Sequence, residues 1–219
     1  MNVAFYIDEM NFRGIANSTY DYALQNKLLL KNNSIIFYNK QNQSNKIEVI
    51  KKFKKKFKTF GINQFSEIDE FKNRLKIEYL YTQKSGNKDD WISKNIKTLV
   101  HCVYPQKINE IHGHKYAYIS EWLSQNFSNK KIPYVPYIVK TKETKKNLKK
   151  KLKIKKDSII FGCHGGESSF DMKFARSALI NIVKKRKNIY FIFLNIEKFC
   201  NHGQIKFLKG TSDEFIKKK

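Results

Sequence analysis

The stretch from Ser158 to Asn195 admits few folds. It opens with a short apolar strand, Ser158-Ile159-Ile160-Phe161, and turns through Gly162-Cys163-His164-Gly165-Gly166. A helical pattern follows at Phe174, Ala175, Ala178, Leu179, Ile182 and Val183, and then a second apolar strand from Ile189 to Leu194. Strand, glycine turn, helix and strand make one βαβ unit. Glycines let a backbone approach a ligand closely, and the first turn of a helix offers unpaired N–H groups that favour phosphate. The unit therefore points to a phosphate-bearing ligand such as a nucleotide. The sequence stops at Lys219, about one helix later, so this domain is expected to be incomplete.

Composition sets the remaining bounds. Of the 219 residues, 41% are hydrophobic and 14% aromatic, enough for a real core and unlike a disordered tail. No apolar run approaches the roughly 20 residues of a spanning helix, and the chain enters a strand at Val3–Ile7 with no signal peptide before it. Cys102, Cys163 and Cys200 are odd in number and widely spaced, which argues against a disulfide framework. A cytoplasmic protein of a reducing compartment is expected. The net charge of +25 comes almost wholly from lysine, the arginines being Arg13, Arg74, Arg176 and Arg186. Lysine, asparagine and isoleucine share A/T-rich codons, so a skewed genome explains the excess; attraction to a polyanion or membrane surface is the alternative. Readers of nucleic acid rely more on arginine for bidentate contacts, which argues against that partner.

Strands and helices alternate along the whole chain. Val3–Ile7 reads as a buried strand, followed by a loop over 8–18 and a helix starting near Asn17 or Ser18 and running to about Leu30. Ser34–Tyr38 is the next strand, parallel to the first through a right-handed crossover. Lys46–Phe60 reads as one basic amphipathic helix with Ile47, Ile50, Phe53, Phe57 and Phe60 on a stripe. That stripe faces the core, or else a membrane surface. A short strand is expected near 63–65, a helix over Glu67–Leu75, and strands over Ile77–Thr82, Thr98–Tyr104 and Lys115–Ile119. Ser120 is placed to cap a helix over Glu121–Phe127. Pro133 and Pro136 make 133–139 an extended connector rather than a central strand. Thr141–Lys156 is a lysine-dense helix or linker, and the domain boundary is placed there, giving domains 1–140 and 141–219. Phe207-Leu208-Lys209-Gly210 reads as a strand and turn, and 211–219 as the start of a helix.

This alternation implies an α/β protein with two Rossmann-like parallel-sheet domains, the second incomplete. Ligands in such sheets bind beyond the carboxyl ends of the strands. The loops at 8–18, 84–87 and 162–169 and the strand end at 101–106 are therefore the functional candidates, meeting across a cleft between domains.

Several of these pieces carry a family resemblance. They are the first strand with Arg13-Gly14-Ile15, the strand end Tyr81-Thr82-Gln83-Lys84-Ser85-Gly86, and the strand His101-Cys102-Val103-Tyr104. The connector Tyr134-Val135-Pro136-Tyr137-Ile138-Val139 and the turn Phe161-Gly162-Cys163-His164-Gly165-Gly166 complete it. In this order they resemble glycosyltransferase family 4-like proteins of the two-Rossmann-domain, GT-B type. The resemblance implies an N-terminal domain for a glycan or other acceptor and a C-terminal domain for a nucleotide-sugar donor. It also implies retaining, metal-independent transfer with no cofactor. Cys163 stands where the family often has an arginine, and the family's paired-glutamate motif lies beyond the end of this sequence, so the resemblance implies impaired activity. A companion polypeptide completing the second domain, a non-enzymatic glycan-binding role, and peripheral membrane contact remain open alternatives.

The candidate site residues follow. Cys163, His164, Gly165 and Gly166 are assigned to donor phosphate, against a reading in which the glycines only make a tight turn and His164 packs on it. Arg13 and Gly14, with Lys84, Ser85 and Gly86, are assigned to cleft loops, the alternative for Arg13 being a surface arginine. No catalytic residue is identified beyond the candidate His101, whose alternative is a hydrogen-bonded core histidine. Asp8 and Glu9 are an early acidic pair, of which either serves as a base or else caps or pairs with a neighbour. His112 and His114 lack a third ligand at a recognised spacing, so no metal is expected.

Overall fold

Alternate residues of the first strand are buried on opposite faces, as a strand in the middle of a parallel sheet requires. The computed structural model describes residues 1–138, 148–166 and 168–211. In it β1 (Asn2–Ile7) directs Val3, Phe5 and Ile7 into one apolar cluster and Ala4 and Tyr6 into another. The first cluster is closed by α1 (Gly14–Leu28) and α2 (Ile47–Lys54), through Tyr20, Ala23, Val49 and Phe53. The second is closed by α3 (Glu67–Arg74), through Ile68 and Phe71. Helices thus cover both faces.

The strands of this sheet are β1, β2 (Asn33–Asn39), β3 (Lys58–Ile62), β4 (Tyr79–Lys84), β5 (Lys97–Cys102) and β6 (Lys115–Tyr118). All are parallel, in the order β3-β2-β1-β4-β5-β6. The chain winds outward to β3, crosses beneath the sheet through α3, and returns beside β1 as β4. The strand order reverses at that junction, and the connections leaving β1 and β4 splay apart to leave a crevice at their carboxyl ends. Beyond β6, α4 (Glu121–Ser128) is capped by Ser120, whose Oγ accepts from the Leu123 amide at 3.2 Å. The connector then runs along the β6 edge, where Tyr134 bridges Tyr118 in parallel.

The chain divides into two compact units, Met1–Val139 and Lys140–Lys219. The second carries a short helix α5 (Leu148–Lys151), then β7 (Ile159–His164), α6 (Lys173–Lys185), β8 (Ile189–Leu194) and β9 (Ile205–Leu208). Its three strands are parallel, in the order β7-β8-β9. Val183, Phe191, Phe193 and Ile205 form its core, with Phe199 and Phe207 packed around Phe193.

Three expectations need correction. Helix α1 begins at Gly14, before Asn17 and Ser18, because the side chains expected to cap it are committed elsewhere. The Asn17 amide donates to the Phe12 and Arg13 carbonyls at 3.1 and 2.9 Å, and the Ser18 hydroxyl turns to Ile15 and Gln83. The single helix expected over 46–60 ends at Lys54. Phe57 folds back into the core beside Phe53 and Tyr20, and Phe60 lies on β3, stacked on Phe37 across the other face. Since β3 occupies 58–62, there is no strand at 63–65. The core-facing reading of the α2 stripe is the one observed, with Val49 and Phe53 buried. Residues 141–147 of the lysine-dense stretch and residues 212–219 lie outside the described residues.

Candidate functional site

A cavity of about 520 Å³ opens where the strand order reverses. The loop leaving β1 forms one wall, with Asp8, Glu9, Asn11 and Arg13, and continues into the first turn of α1 at Gly14 and Ile15. Gln83 of β4 is at the floor, and Trp91, Tyr104 and Tyr137 are the aromatic borders.

The acidic pair is locally anchored. Asp8 accepts from Tyr6 Oη at 3.1 Å and from the Asn39 and Asn42 side-chain amides at 3.0 and 2.9 Å. Burial, then Asp8, pushes the Tyr6 hydroxyl far above its ordinary range, so it stays a proton donor to that carboxylate. Glu9 accepts from Asn11 Nδ2 at 2.6 Å, and Asn11 Oδ1 in turn accepts from the Arg13 amide at 2.9 Å. Arg13 is the N-cap residue of α1, and its guanidinium stands 3.7 Å from Glu9 with most of its side chain in solvent. No side chain caps the helix. A Cβ at Gly14 would meet nothing within 4 Å, so the helix's first turn is open to approach.

Gln83 is the residue the sequence reading missed. It is 3% exposed, and its Oε1 accepts from Ser18 Oγ at 2.7 Å. Its Nε2 is buried without a hydrogen bond of sound geometry. Ser18 has one proton and also faces the Ile15 carbonyl, 3.1 Å away. Whichever end of the carboxamide meets Ser18, the other end is left over. Burial, and next Tyr22, raise the Tyr81 hydroxyl's pKa well above its ordinary value, opposed by the Gln83 amide. That amide lies near Tyr81, outside hydrogen-bond geometry. A buried polar group left open at a cavity floor is matched by a ligand that supplies the missing partner.

Lys84, Ser85 and Gly86 do not line this cavity. Lys84 is 3% exposed, and its Nζ donates to Asp89 at 2.5 Å and to the Trp91 carbonyl at 2.9 Å. Burial lowers its pKa, opposed by Asp89. It is an internal tether that holds Trp91 at the cavity edge. Ser85 Oγ accepts from the Asn87 amide at 3.2 Å. Gly86 is required by packing, since a Cβ there would sit 2.5 Å from the Lys107 carbonyl oxygen.

His101 also serves the frame. It is 2% exposed on β5, with Nε2 3.0 Å from the Val135 carbonyl and Nδ1 2.6 Å from Tyr81 Oη. A carbonyl can only accept, so Nε2 carries the proton and Nδ1 accepts from Tyr81. The histidine fastens the connector to the sheet. Tyr22 Oη, donating to the Pro136 carbonyl at 2.8 Å, and Tyr137 Oη, donating to Asp21 at 2.8 Å, add to that fastening. Nothing places His101 among the cavity walls.

In the second unit the glycine turn does not lead straight into a helix. The strand runs through Cys163 to His164, and α6 begins only at Lys173. Cys163 packs against the apolar cluster, and His164 is exposed at the strand end. The Gly165 amide donates to the Leu194 carbonyl at 3.3 Å and the Gly166 amide to Ser169 Oγ at 2.8 Å. Asn195 Nδ2 closes the turn on the Gly165 carbonyl at 2.8 Å. The two glycine amides are thus engaged, one by β8 and one within the turn. Gly165 is there because a Cβ would stand 2.6 Å from Ser169 Cβ. Gly165→Ala is expected to cost about 1–3 kcal/mol. The check is hydrogen exchange over 159–208, which reads this unit separately; unchanged protection would contradict it.

His112 and His114 each have one ring nitrogen engaged locally. His112 Nδ1 is 2.8 Å from the Glu110 carbonyl, and His114 Nδ1 accepts from the Thr98 amide at 3.0 Å. Among the described residues, no group of three or more His, Cys, Asp or Glu is placed to hold a metal ion, and no helix is long and apolar enough to cross a membrane. Compared with protein-family models and with curated proteins, the chain matches none, so the site rests on its geometry.

Proposed function

We propose that the first unit binds a hydroxyl-rich ligand, a glycan or similar acceptor, in the crevice between the carboxyl ends of β1 and β4, within a glycosyltransferase-like protein. The observation that carries this reading is the open carboxamide of Gln83 at the floor of an aromatic-edged cavity. Sugars present apolar C–H faces that rest on rings such as Trp91 and Tyr104. Their hydroxyls pair with amides and carboxylates such as Gln83, Asn11 and Glu9. The reading assigns the second unit to a nucleotide-sugar donor, with transfer helped by positioning and by relief of charge on the diphosphate leaving group.

A second reading, a glycan-binding module without transfer, is favoured by one observation: the Gly165 and Gly166 amides are already hydrogen-bonded. Calorimetric titration with neutral oligosaccharides and with nucleotide sugars separates the two. Oligosaccharide binding is expected in both, and Tyr104→Ala, at an exposed position, is expected to weaken it about tenfold. Nucleotide-sugar binding and turnover belong to the first reading alone, and turnover is expected to be weak or absent. Failure of every oligosaccharide to bind would remove both.

A further inference from the structure

The two ends of the six-stranded sheet differ in charge. The carboxyl-end crevice holds two carboxylates and one guanidinium, from Asp8, Glu9 and Arg13. At the amino ends of β1, β2 and β3 lies a second cavity, of about 450 Å³. Lys27, Lys56, Lys58, Arg74 and Lys76 line it, all exposed, and no carboxylate does. Glu78, two residues from Lys76, has an oxygen engaged by the Asn2 amide at 3.1 Å. A lysine excess spread evenly by composition does not predict such a difference between two ends of one sheet.

The same end carries an apolar run. Between the lining residues Lys27 and Asn33, the chain leaves α1 through Leu28, Leu29 and Leu30, which are 48%, 70% and 67% exposed. Lys31 follows with φ 56°, a left-handed conformation that turns the chain back toward β2. Three consecutive exposed leucines are costly in water and mark a contact surface. Leucines beside a ring of cations, with long lysine stems able to lie along apolar surface, fit a bilayer: apolar side chains enter the acyl boundary and ammonium groups meet lipid phosphates.

We propose that this end of the first unit docks on a membrane surface rich in anionic phospholipid, the leucine run inserting and the basic cavity receiving headgroup phosphate. The proposal is independent of the crevice at the opposite end. The test is co-sedimentation of the full chain with vesicles of phosphatidylcholine alone or mixed with phosphatidylglycerol. The chain is expected to sediment with the mixed vesicles only. Each lysine near an anionic surface contributes roughly a fivefold gain in binding. Lys56→Glu/Lys58→Glu/Lys76→Glu is therefore expected to weaken binding by well over tenfold, and Leu29→Ser/Leu30→Ser also to weaken it about tenfold. Lys184→Glu/Lys185→Glu/Lys187→Glu, the same charge change in the second unit, is expected to bind like the unaltered chain. All eight altered positions are exposed, and circular dichroism checks that each variant folds. Four results overturn the proposal: equal binding to neutral vesicles, full binding by the leucine variant, equal loss in the second-unit variant, or self-association abolished by the leucine variant with no vesicle binding.

Discussion

A Lys84→Met variant is expected to lose about 2 kcal/mol of unfolding free energy and most of its ligand binding in the crevice. Lys84 is buried, and its ammonium joins Asp89 at 2.5 Å to the Trp91 carbonyl at 2.9 Å. Methionine fits the space of the stem but removes the donor from both partners. Breaking a fully buried pair costs about 3–5 kcal/mol. The expected value is lower because Asp89 is one-third exposed and can rehydrate, and because it keeps its bond from the Trp91 amide at 3.0 Å. The larger consequence is functional. Without its tether, Trp91 no longer has a fixed position against Tyr6 and Phe65, and the crevice loses an aromatic border. Urea unfolding followed by tryptophan fluorescence measures the first effect and ligand titration the second. A variant with unchanged midpoint and affinity would show that the tether is dispensable.

Removing His101 is expected to cost about 3 kcal/mol at pH 7 and to flatten the acid side of the stability profile. The His101→Ala cost combines a cavity beside the Tyr22 and Tyr81 rings with two lost partners, the Tyr81 hydroxyl and the Val135 carbonyl. The pH effect follows from linkage. Burial lowers the His101 pKa, opposed by backbone hydrogen bonds at Val135 and Tyr118. The folded value therefore lies below the unfolded one of about 6.5. In that window the unfolded chain binds a proton that the folded chain does not, so stability rises with pH. The contribution is present above about pH 6.5 and is lost as pH falls through the folded value. Its neighbours do not titrate nearby, since burial holds the Tyr22 hydroxyl up at about 12 and the Tyr81 hydroxyl higher than its ordinary range. Urea unfolding of both chains across this range checks the sign; equal slopes would contradict it.

How much the sequence disclosed depended on whether local chemistry or tertiary contact decided the outcome. The buried strand at Val3–Ile7 and the Ser120 cap follow from local pattern, and both are observed. Parallel order also follows, because alternating strands and helices leave few other arrangements. The end of α2 did not follow. Phe53, Phe57 and Phe60 keep a helical spacing, and only the stacking of Phe60 on Phe37 shows that the chain has already become a strand. Charge misled at Lys84, which reads as a solvated loop cation until Asp89 and the Trp91 carbonyl are seen around it. At Gly165 and Gly166 the turn closes on Ser169 and Asn195, contacts that the glycines alone do not disclose. Arg13 and Gly14 do line the crevice, because the first loop of a doubly wound sheet must open there. Gln83 was hidden by its neighbours: a glutamine beside a lysine at a strand end looks like solvent-facing chain.

The central claim is that the reversal point of the six-stranded sheet holds the ligand. The most direct test is amide chemical-shift mapping of the isotope-labelled chain titrated with neutral oligosaccharides. The account predicts saturable shifts grouped at Asn11, Gly14, Ser18, Gln83 and Tyr104, five positions that line one cavity although they are far apart in sequence. Shifts confined to the turn at Gly165–Gly166, or no saturable shifts with any sugar, would contradict it.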